Sequence, residues 1–325
     1  MQAVVVAEFG GPDVLVAAEV PDPVPGAGEV VVAVAAAHVL WVETRIRSGV
    51  GREYWGVTPP YVPGSGVAGR VGDVGPGVDP ALLGTRVVAH TGRSRDGYAE
   101  HVVVGADGLV PIPDEVSAQQ AAALVHDGVT GGALVDEQRV GAGDRVLVVG
   151  ASGGLGIVLV QLARARGARV VALARDERKL ARVRALGADA VIDSDAPDWT
   201  AQARAALGGG DGADVVFDNV GGDLGEAAFG LIARGGRFSA HGTPGGRFAQ
   251  IPPEAAAARA VTVRGIRDVQ LPADERRHLT AQALAAAAAG ELRPVIGQTF
   301  PLARADRAHA AIEDRSVFGS TLLLV

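Results

Sequence analysis

Short apolar runs rich in valine alternate with glycine and proline turns up to about residue 118 of the chain. Val4–Ala7, Val30–Val34, Arg86–Ala89 and Glu100–Val104 are too short for ordinary helices and carry residues that favour strands. Turn residues such as Pro76-Gly77 lie between them. The pattern predicts an irregular, strand-rich domain.

The pattern changes near residue 119, where apolar strands begin to alternate with helices. A helical stretch, Ala118–Leu134, precedes a strand at Arg145–Val149, and helical spacing then runs from Gly154 to Arg166. The alternation continues with strands and helices in turn: Arg169–Ala174, Asp176–Leu186, Ala190–Asp193, Asp198–Leu207, Asp214–Asp218, Leu224–Ala233 and Arg237–Ala240. Apolar strands that alternate with helices indicate crossovers in a parallel sheet. This region is therefore predicted to be a doubly wound α/β domain.

The last 60 residues or so return to mixed signals. They contain a strand at Thr262–Ile266, an alanine-rich helix that ends at Gly290 and a short apolar run at Thr321–Val325. The tract Ala283–Ala289 has low complexity, but alanine has the highest helix propensity of all residues. We therefore interpret it as part of an ordinary helix.

Composition and charge narrow the class of protein. At 325 residues the chain has room for two domains, and its hydrophobic content of 48% allows a sizeable core. The net charge of −7 argues against nucleic acid or an anionic membrane as a partner, because both require a basic surface. The apolar stretches are short, and no signal-peptide pattern precedes the first strand. We expect a cytoplasmic protein.

A glycine-rich turn, Gly150–Gly156, joins the first strand of the α/β region to its helix. Gly153 and Gly154 allow the backbone to approach a pyrophosphate, and the helix that begins there offers free N–H groups. Ala151 replaces the first glycine of the strict motif, so a purely structural turn is the alternative. Its place between a strand and a helix favours a nucleotide cofactor. Further candidate contacts in this turn are Ser152 and Leu155.

The residues after the second strand of this region distinguish the two nicotinamide cofactors. An NAD site has an acidic residue about 20 residues beyond the glycines, which binds the ribose 2′-hydroxyl. Here Ala174 is followed by Arg175, with Arg178 and Lys179 close behind. A 2′-phosphate favours such cations, so we expect NADPH, with Arg175 and Lys179 as ligands. The alternative is solvated charges at the start of a helix, where Asp176 also lies.

The whole chain resembles the medium-chain dehydrogenase/reductase superfamily, and within it the quinone oxidoreductase (zeta-crystallin-like) branch. The resemblance rests on segments that follow the order and spacing of the family: Ala35–Gly49, Pro63–Val71, Gly97–Glu100, Gly128–Thr130, Gly141–Asp144, Ala151–Gly156, Pro301-Leu302, Ala308–Ala310 and Gly319–Leu323. It implies a GroES-like catalytic domain from residues 1–118 and 263–325, and a Rossmann cofactor domain from residues 119–262. It also implies a homodimer or a homotetramer, of which we expect the homodimer, and the strand Thr262–Ile266 is either the pairing edge or internal.

The chain departs from the family at two sets of positions. Zinc-dependent members bind the metal through a cysteine, a Gly-His-Glu segment and a further cysteine or acid. This chain has no cysteine, and Leu40 and Gly64-Ser65-Gly66 occupy those positions, so the resemblance implies an enzyme without metal. Quinone oxidoreductases commonly have an Asn-Phe-x-Asp-x-Tyr run, where this chain has Leu40–Arg45. The missing Asn and Tyr leave the identity of the substrate open.

Three polar side chains are candidates for the catalytic site. Tyr54 matches a tyrosine of the family near the substrate and is either a hydrogen-bond donor or an aromatic wall. Arg45 stands where the family often has tyrosine; it either stabilises an enolate oxygen, pairs with Glu43 or faces solvent. His126 is either a proton relay near neutral pH or a hydrogen-bonded helix histidine.

Other residues are expected to contact the cofactor or the substrate. Candidate cofactor contacts are Thr130 of a Gly-x-Thr motif, Asn219 after one strand and Gly242 after the next. Leu40 and Trp41 are expected to shape an apolar substrate pocket. The remaining histidines show no spacing typical of a metal site and are interpreted as structural or surface residues: His38, His90, His101, His278 and His309.

A hydride acceptor that reacts without a metal must delocalise the negative charge it receives. Quinones and alkenes conjugated to a carbonyl do so, because the charge moves to an oxygen that a hydrogen bond stabilises. The sequence therefore predicts an NADPH-dependent reductase of quinones or α,β-unsaturated carbonyls. Two alternatives stay open: an enoyl-thioester reductase of a polyketide or fatty-acid pathway, and an NADPH-binding protein with little turnover.

Overall fold

Apolar strands and glycine turns build two units, and the computed structural model describes residues 1–51, 55–92 and 96–325. One unit comprises Met1–Val129 and Ala273–Val325, and the other comprises Thr130–Pro272. The first boundary falls within a helix, and the second falls at Ala273, where another helix begins. The domain limits expected at residues 118 and 262 stay a prediction.

The amino-terminal part of the first unit consists mainly of strands. It contains β1 (Gln2–Val6), β2 (Leu15–Glu19), β3 (Glu29–Val39), β4 (Gly66–Val74), β5 (Arg86–His90), β6 (His101–Gly105) and β7 (Val110–Pro111). Helix α1 (Trp41–Arg47) follows β3, and helix α2 (Ala118–Glu137) continues into the second unit.

The second unit is a parallel sheet with helices between its strands. The strands are β8 (Arg145–Val149), β9 (Arg169–Ala174), β10 (Ala190–Asp193), β11 (Ala213–Asp218), β12 (Ile232–Ala240) and β13 (Thr262–Gly265). The helices are α3 (Gly154–Ala165), α4 (Glu177–Ala185), α5 (Trp199–Ala206), α6 (Gly222–Phe229) and α7 (Pro253–Ala258).

The strand order in this sheet is β10-β9-β8-β11-β12-β13, and every pair is parallel. The order confirms the predicted doubly wound α/β class. It reverses between β8 and β11, and such sheets bind ligands at the carboxyl ends of the strands beside this reversal. The sheet thereby places the turn after β8 and the segment after β11 at one edge.

The chain then returns to the first unit. It adds helix α8 (Ala273–Ala288), β14 (Ile296–Pro301), helix α9 (Ala305–Glu313) and β15 (Ser320–Leu324). The completed sheet has the order β14-β15-β3-β4-β5-β7, with β6 paired to β3. Strands β1 and β2 form a separate antiparallel pair. The core of this unit is filled mainly by aliphatic side chains from both parts of the chain, among them Val32, Val67 and Leu323.

One helix differs from its predicted extent. The sequence predicts a helix over Leu224–Ala233, whereas α6 ends at Phe229 and β12 begins at Ile232. The reason is tertiary, because Ile232 pairs with Ala213 of β11 and extends the sheet backward from the strand that the apolar pattern reveals. Helix α7 has no predicted counterpart, whereas the other predicted helices of the second unit lie within a few residues of their expected bounds.

Candidate functional site

The glycine turn of the second unit brings the start of helix α3 against the end of β8. Gly150 has a φ of +70°, in the left-handed region that favours glycine. A Cβ on Gly156 would lie 2.4 Å from the carbonyl oxygen of Gly150, so the first turn of the helix needs glycine to approach this backbone. The positive end of the helix therefore lies directly on the turn.

Gly153 differs from these glycines because the protein itself does not require it. The residue is exposed, and the nearest atom to a Cβ built there, the oxygen of Gly150, is 3.8 Å away. The space above the free N–H groups of the helix start is therefore open, which fits a phosphate group. Ser152, Gly154 and Leu155 line the same turn and are half-buried.

Asn219, at the end of β11, is held beside this turn. Its Nδ2 donates to the carbonyl oxygen of Val149 at 2.7 Å, and its Oδ1 accepts from His241 Nε2 at 2.8 Å. Ser239 Oγ lies 3.0 Å from His241 Nδ1. Burial lowers the pKa of His241 to about 4, so the ring is neutral and carries its proton on Nε2. These contacts fix the orientation of the Asn219 amide.

Gly242 is in close backbone contact with Asn219. A Cβ on Gly242 would lie 1.9 Å from the carbonyl carbon of Asn219, and the Gly242 N–H donates to the oxygen of Asp218 at 2.8 Å. Both predicted contact residues are therefore brought together at the carboxyl edge of the sheet, and glycine is the one residue that fits.

Arg175 and Lys179 lie after β9 at this same edge, where the Ala151 N–H of the glycine turn donates to Leu173 oxygen at 2.9 Å. Arg175 is half-buried. Lys179 is buried, and its Nζ lies 3.7 Å from Asp176 Oδ2. Asp176 caps helix α4, because its Oδ1 accepts from the Lys179 N–H at 2.9 Å. The Asp176 carboxylate thus accepts a hydrogen bond from the first turn of the helix that follows it.

Thr130 lies on helix α2 where that helix packs on α3. The next residue is Gly131, and a Cβ there would lie 2.6 Å from Val158 Cγ1. Thr130 itself is half-buried. It therefore contributes to the surface beside the helix that follows the glycine turn.

A buried carboxylate is the centre of the polar groups in the first unit. Glu43, on helix α1, is 4% exposed and accepts four hydrogen bonds. Its Oε1 accepts from the N–H and Oγ of Ser65, both at 3.0 Å. Its Oε2 accepts from the Leu40 N–H at 3.0 Å and from Tyr98 Oη at 2.7 Å. Burial raises the pKa of Glu43, and these four donors act against that rise.

His126, predicted as a proton relay, is connected to this carboxylate through Ser65. Its Nε2 is 3.2 Å from Ser65 Oγ, and its ring packs edge-on against His90 with centroids 4.6 Å apart. Burial lowers the pKa of His126 well below its ordinary value, with smaller contributions from His90 and His38. The imidazole is therefore neutral near pH 7, and its Nε2 lies within hydrogen-bonding distance of the Ser65 hydroxyl.

Asp127, the next residue, lies in a second buried group. Its Oδ2 accepts from Ser320 Oγ at 3.2 Å and lies 3.7 Å from His38 Nε2. Burial raises the pKa of Asp127 to about 7 and lowers that of His38 to about 4. Desolvation thus outweighs their mutual attraction, and both groups favour the neutral form.

The sequence did not reveal the role of Glu43, Tyr98 or His309. Tyr98 and His309 are fully buried, with Tyr98 Oη 3.1 Å from His309 Nε2. The one local signal is that Glu43 lies in the first turn of a helix, where glutamate binds back to the backbone. Ser65, Tyr98 and His309 are too distant along the chain to form a motif.

The remaining predicted residues lie on or near helix α1. Leu40, Trp41 and Arg45 are half-buried, and the guanidinium of Arg315 lies 5.9 Å from the Trp41 ring centroid. Arg45 is not among the four donors to Glu43 described above. Tyr54 lies outside the described residues.

The residues that the structure describes contain no group of three or more His, Cys, Asp or Glu side chains that could hold a metal ion. They also contain no helix with the length and apolar character needed to cross a membrane.

Two family models match most of the chain. Residues 26–114 match the alcohol dehydrogenase GroES-like domain, and residues 154–285 match the zinc-binding dehydrogenase family. Quinone oxidoreductase of Mus musculus is 34% identical over 315 residues, which cover 96% of this chain and 94% of the relative. The 2-haloacrylate reductase of a Burkholderia species is 30% identical over 338 residues, which cover 100% of this chain and 99% of the relative.

Solved structures resemble the chain over its full length. Escherichia coli quinone oxidoreductase complexed with NADPH has a TM-score of 0.90 at 26% identity and covers 100% of both chains. A structure described as an NAD-dependent alcohol dehydrogenase has a TM-score of 0.90 at 34% identity, also over 100% of both chains.

Proposed function

The chain belongs to the medium-chain dehydrogenase/reductase superfamily, in its quinone oxidoreductase branch, and from this we propose that it reduces quinones or α,β-unsaturated carbonyls with NADPH and without a metal. The relatives of this family described above are named as oxidoreductases or reductases, so oxidoreductase activity is typical of the family. The cofactor, the substrate class and the independence from zinc are the parts that we propose.

The observation that carries the proposal is the open space at Gly153, at the same carboxyl edge of the sheet as Arg175. Gly153, Gly154 and the turn residues Ser152 and Leu155 would hold the pyrophosphate of the dinucleotide. Asn219, Gly242 and Thr130 would contact the nicotinamide end. The bound cofactor supplies a hydride, and the role of these residues is to orient it and to exclude water. Their positions support binding of a dinucleotide.

The segment after β9 favours NADPH over NADH. An NAD site uses a free carboxylate there, whereas Asp176 is engaged in capping helix α4 and lies near Lys179. Arg175 and Lys179 would bind the 2′-phosphate as charged hydrogen-bond donors. One structural neighbour is named for NAD and another is complexed with NADPH, so relatives differ on this point.

The proposed substrate class follows from the side chains that replace zinc ligands. The chain has no cysteine, and Ser65 is bonded to Glu43 instead of facing a metal as a histidine would. Without a Lewis acid, the acceptor must itself delocalise charge, as quinones and conjugated alkenes do. The relatives named for quinone and for 2-haloacrylate support acceptors of this kind.

The function is tested by following NADPH absorbance with 1,4-benzoquinone, a 2-alkenal and a crotonyl thioester. We expect oxidation with the quinone or the alkenal, and equal rates after dialysis against a metal chelator. Preference for the thioester would favour an enoyl-thioester reductase. Tight binding of NADPH without oxidation of any acceptor would contradict an enzymatic role.

We further propose a homodimer in the cytoplasm. Strand β13 lies at the edge of the six-stranded sheet, and Thr262, Val263 and Arg264 in it are exposed. Such an edge has backbone groups available to pair with the same strand of a second copy. Sedimentation of the purified protein tests this, and replacement of Val263 by proline should yield monomers if the edge is used.

A further inference from the structure

Five side chains of the first unit form a continuous hydrogen-bonded chain. It runs from His126 Nε2 to Ser65 Oγ (3.2 Å), to Glu43 Oε1 (3.0 Å), and from Glu43 Oε2 through Tyr98 Oη (2.7 Å) to His309 Nε2 (3.1 Å). His126 is half-buried and the far end of the chain is fully buried. The chain thus connects the predicted proton relay to a carboxyl group in the interior.

The geometry around Glu43 accommodates both the ionised and the protonated carboxyl group. When it is ionised, each oxygen accepts two donors, as described above. A proton on Oε1 would point to Ser65 Oγ, and the Ser65 hydroxyl would then turn toward His126 Nε2. Oε1 would still accept from the Ser65 N–H, and Oε2 would keep both of its donors. The two states therefore differ by one proton on Glu43, by the direction of the Ser65 hydroxyl and by the tautomer of His126. Both are fully hydrogen-bonded, as proton transfer along the chain requires.

Tyr98 and His309 each stay in one protonation state, which leaves Glu43 as the group of this chain that exchanges the proton. Burial raises the pKa of Tyr98 well above its ordinary value and lowers the pKa of His309 to about 3, so these two groups keep their states. Arg47, on the same helix, pairs with Glu313 at 2.5 Å, and Glu43 forms no ion pair among the described residues. The other titratable groups around this cluster are His38, Tyr61, His90, His126, Asp127 and Arg276.

We propose that Glu43 supplies, through Ser65 and His126, the proton that completes reduction of the substrate; the inference rests on the function proposed above. The acceptor gains two electrons with the hydride and becomes an enolate. The enolate takes a proton from Nδ1 of His126, Nε2 of the same ring takes the hydroxyl proton of Ser65, and Ser65 takes the carboxyl proton of Glu43. The carboxylate is reprotonated from water along the same path before the next turnover. Tyr98 and the Leu40 N–H stabilise the carboxylate in the meantime.

Two acceptors separate a role in proton transfer from a structural one. The enolate of a 2-alkenal is a strong base and needs a proton donor, whereas the hydroquinone monoanion that hydride transfer forms from a tetrachlorinated 1,4-benzoquinone is a weak base and does not. Ser65→Ala removes the hydroxyl but leaves Glu43 its other donors, and Ser65→Thr keeps a hydroxyl as the matched control. Glu43→Gln removes the transferable proton.

We expect Ser65→Ala to lower kcat for the 2-alkenal by about 100-fold or more, because positioned acids contribute factors of that size. Its kcat for the chlorinated quinone and its Kd for NADPH should stay near those of the unchanged protein, and Ser65→Thr should restore most of the alkenal rate. Glu43→Gln should match Ser65→Ala. In the unchanged protein the alkenal rate should fall as pH rises through the pKa of Glu43, and this dependence should be absent in Ser65→Ala.

Equal losses with both acceptors, or no loss with either, would overturn the relay. If Glu43→Gln does not fold, the comparison of Ser65→Ala with Ser65→Thr decides the question alone. No turnover of any acceptor by the unchanged protein would instead remove the proposed function, and the relay with it.

Discussion

Gly66 and His126 are in such close contact that a Cβ on Gly66 would lie 2.7 Å from His126 Nε2 and 2.5 Å from Val125 Cγ1. Glycine at this position leaves room for the imidazole to reach Ser65. The segment Gly64-Ser65-Gly66, where zinc-dependent relatives carry Gly-His-Glu, is therefore adapted to hold a histidine from helix α2 beside Glu43.

Replacement of Gly66 by alanine should displace the His126 ring. Because both neighbours are side chains in a packed interior, we expect the free energy of unfolding to fall by about 1–3 kcal/mol, as for other overpacked sites. Reduction of a 2-alkenal should slow in parallel. Denaturant unfolding measures the first effect, and Gly108→Ala is the control, since a Cβ there has no neighbour within 4 Å. Equal unfolding midpoints for the two variants would contradict the contact.

Gly153 and Gly156 should respond differently to alanine. A Cβ on Gly156 meets the turn backbone, so Gly156→Ala should lower both stability and NADPH affinity. At Gly153 the protein has room, so Gly153→Ala should change the free energy of unfolding by less than about 1 kcal/mol. Its Kd for NADPH should nevertheless rise about tenfold, equivalent to ~1.4 kcal/mol. Fluorescence titration and thermal unfolding of the protein without cofactor separate the two effects, and unchanged affinity in Gly153→Ala would place the phosphate elsewhere.

Arg175→Ala should affect the two nicotinamide cofactors unequally. Loss of a charged hydrogen bond to the 2′-phosphate should raise the KM for NADPH about 10- to 100-fold, whereas NADH lacks that group. Initial rates measured with NADPH and with NADH give the ratio of the two KM values. The KM for NADH is the control within each preparation. An unchanged KM for NADPH, or the same rise for both cofactors, would show that Arg175 does not bind the phosphate.

Asp127 should make the protein less stable as pH rises. Its folded pKa, about 7, is above that of an unfolded aspartate, so between about pH 4 and pH 7 the folded state holds a proton that the unfolded state has lost. This contribution to stability is fully present below that window and is lost as pH rises through it. Asp127→Asn lacks the titration, so its stability relative to the unchanged protein should increase from pH 4 to 7 and then level off.

Urea unfolding of both proteins at several pH values tests this prediction. Histidines with lowered pKa, such as His38, act in the opposite direction, because the folded state must keep them neutral as pH falls. They are common to both proteins, so the difference between the two curves isolates Asp127 to a first approximation. A difference that does not vary with pH would show that Asp127 is ionised in the folded state.

The fold of the second unit could be predicted because its signals are local. Apolar strands buried on both faces and helices ended by glycine are visible within ten residues or so of sequence, and β10 has its predicted bounds. The start of β12 could not be predicted, because Ile232 joins the sheet through its pairing with Ala213 of β11. The glycine turn could likewise be predicted from the sequence, because its residues are adjacent along the chain.

The polar chain of the first unit could not be predicted, because each of its links joins distant segments. Ser65 lies 22 residues from Glu43, and Tyr98 lies 55 residues from it. The sequence indicated His126 as a relay through its position in a family motif, but gave no sign of the groups beside it. Burial, which shifts every pKa in this cluster, is a property of the assembled sheet.

The return of the chain to its first unit has a consequence for how the molecule forms. Tyr98 and His309 are 211 residues apart, and Leu323 of β15 pairs with Ala37 of β3. Because synthesis starts at the amino terminus, the whole segment Thr130–Pro272 is made before β15, the strand that pairs with this part of β3. Contacts of such long range form slowly, and until β15 pairs with it, β3 exposes an apolar edge to other nascent chains. The proposed proton path is thus among the last parts of the protein to be completed.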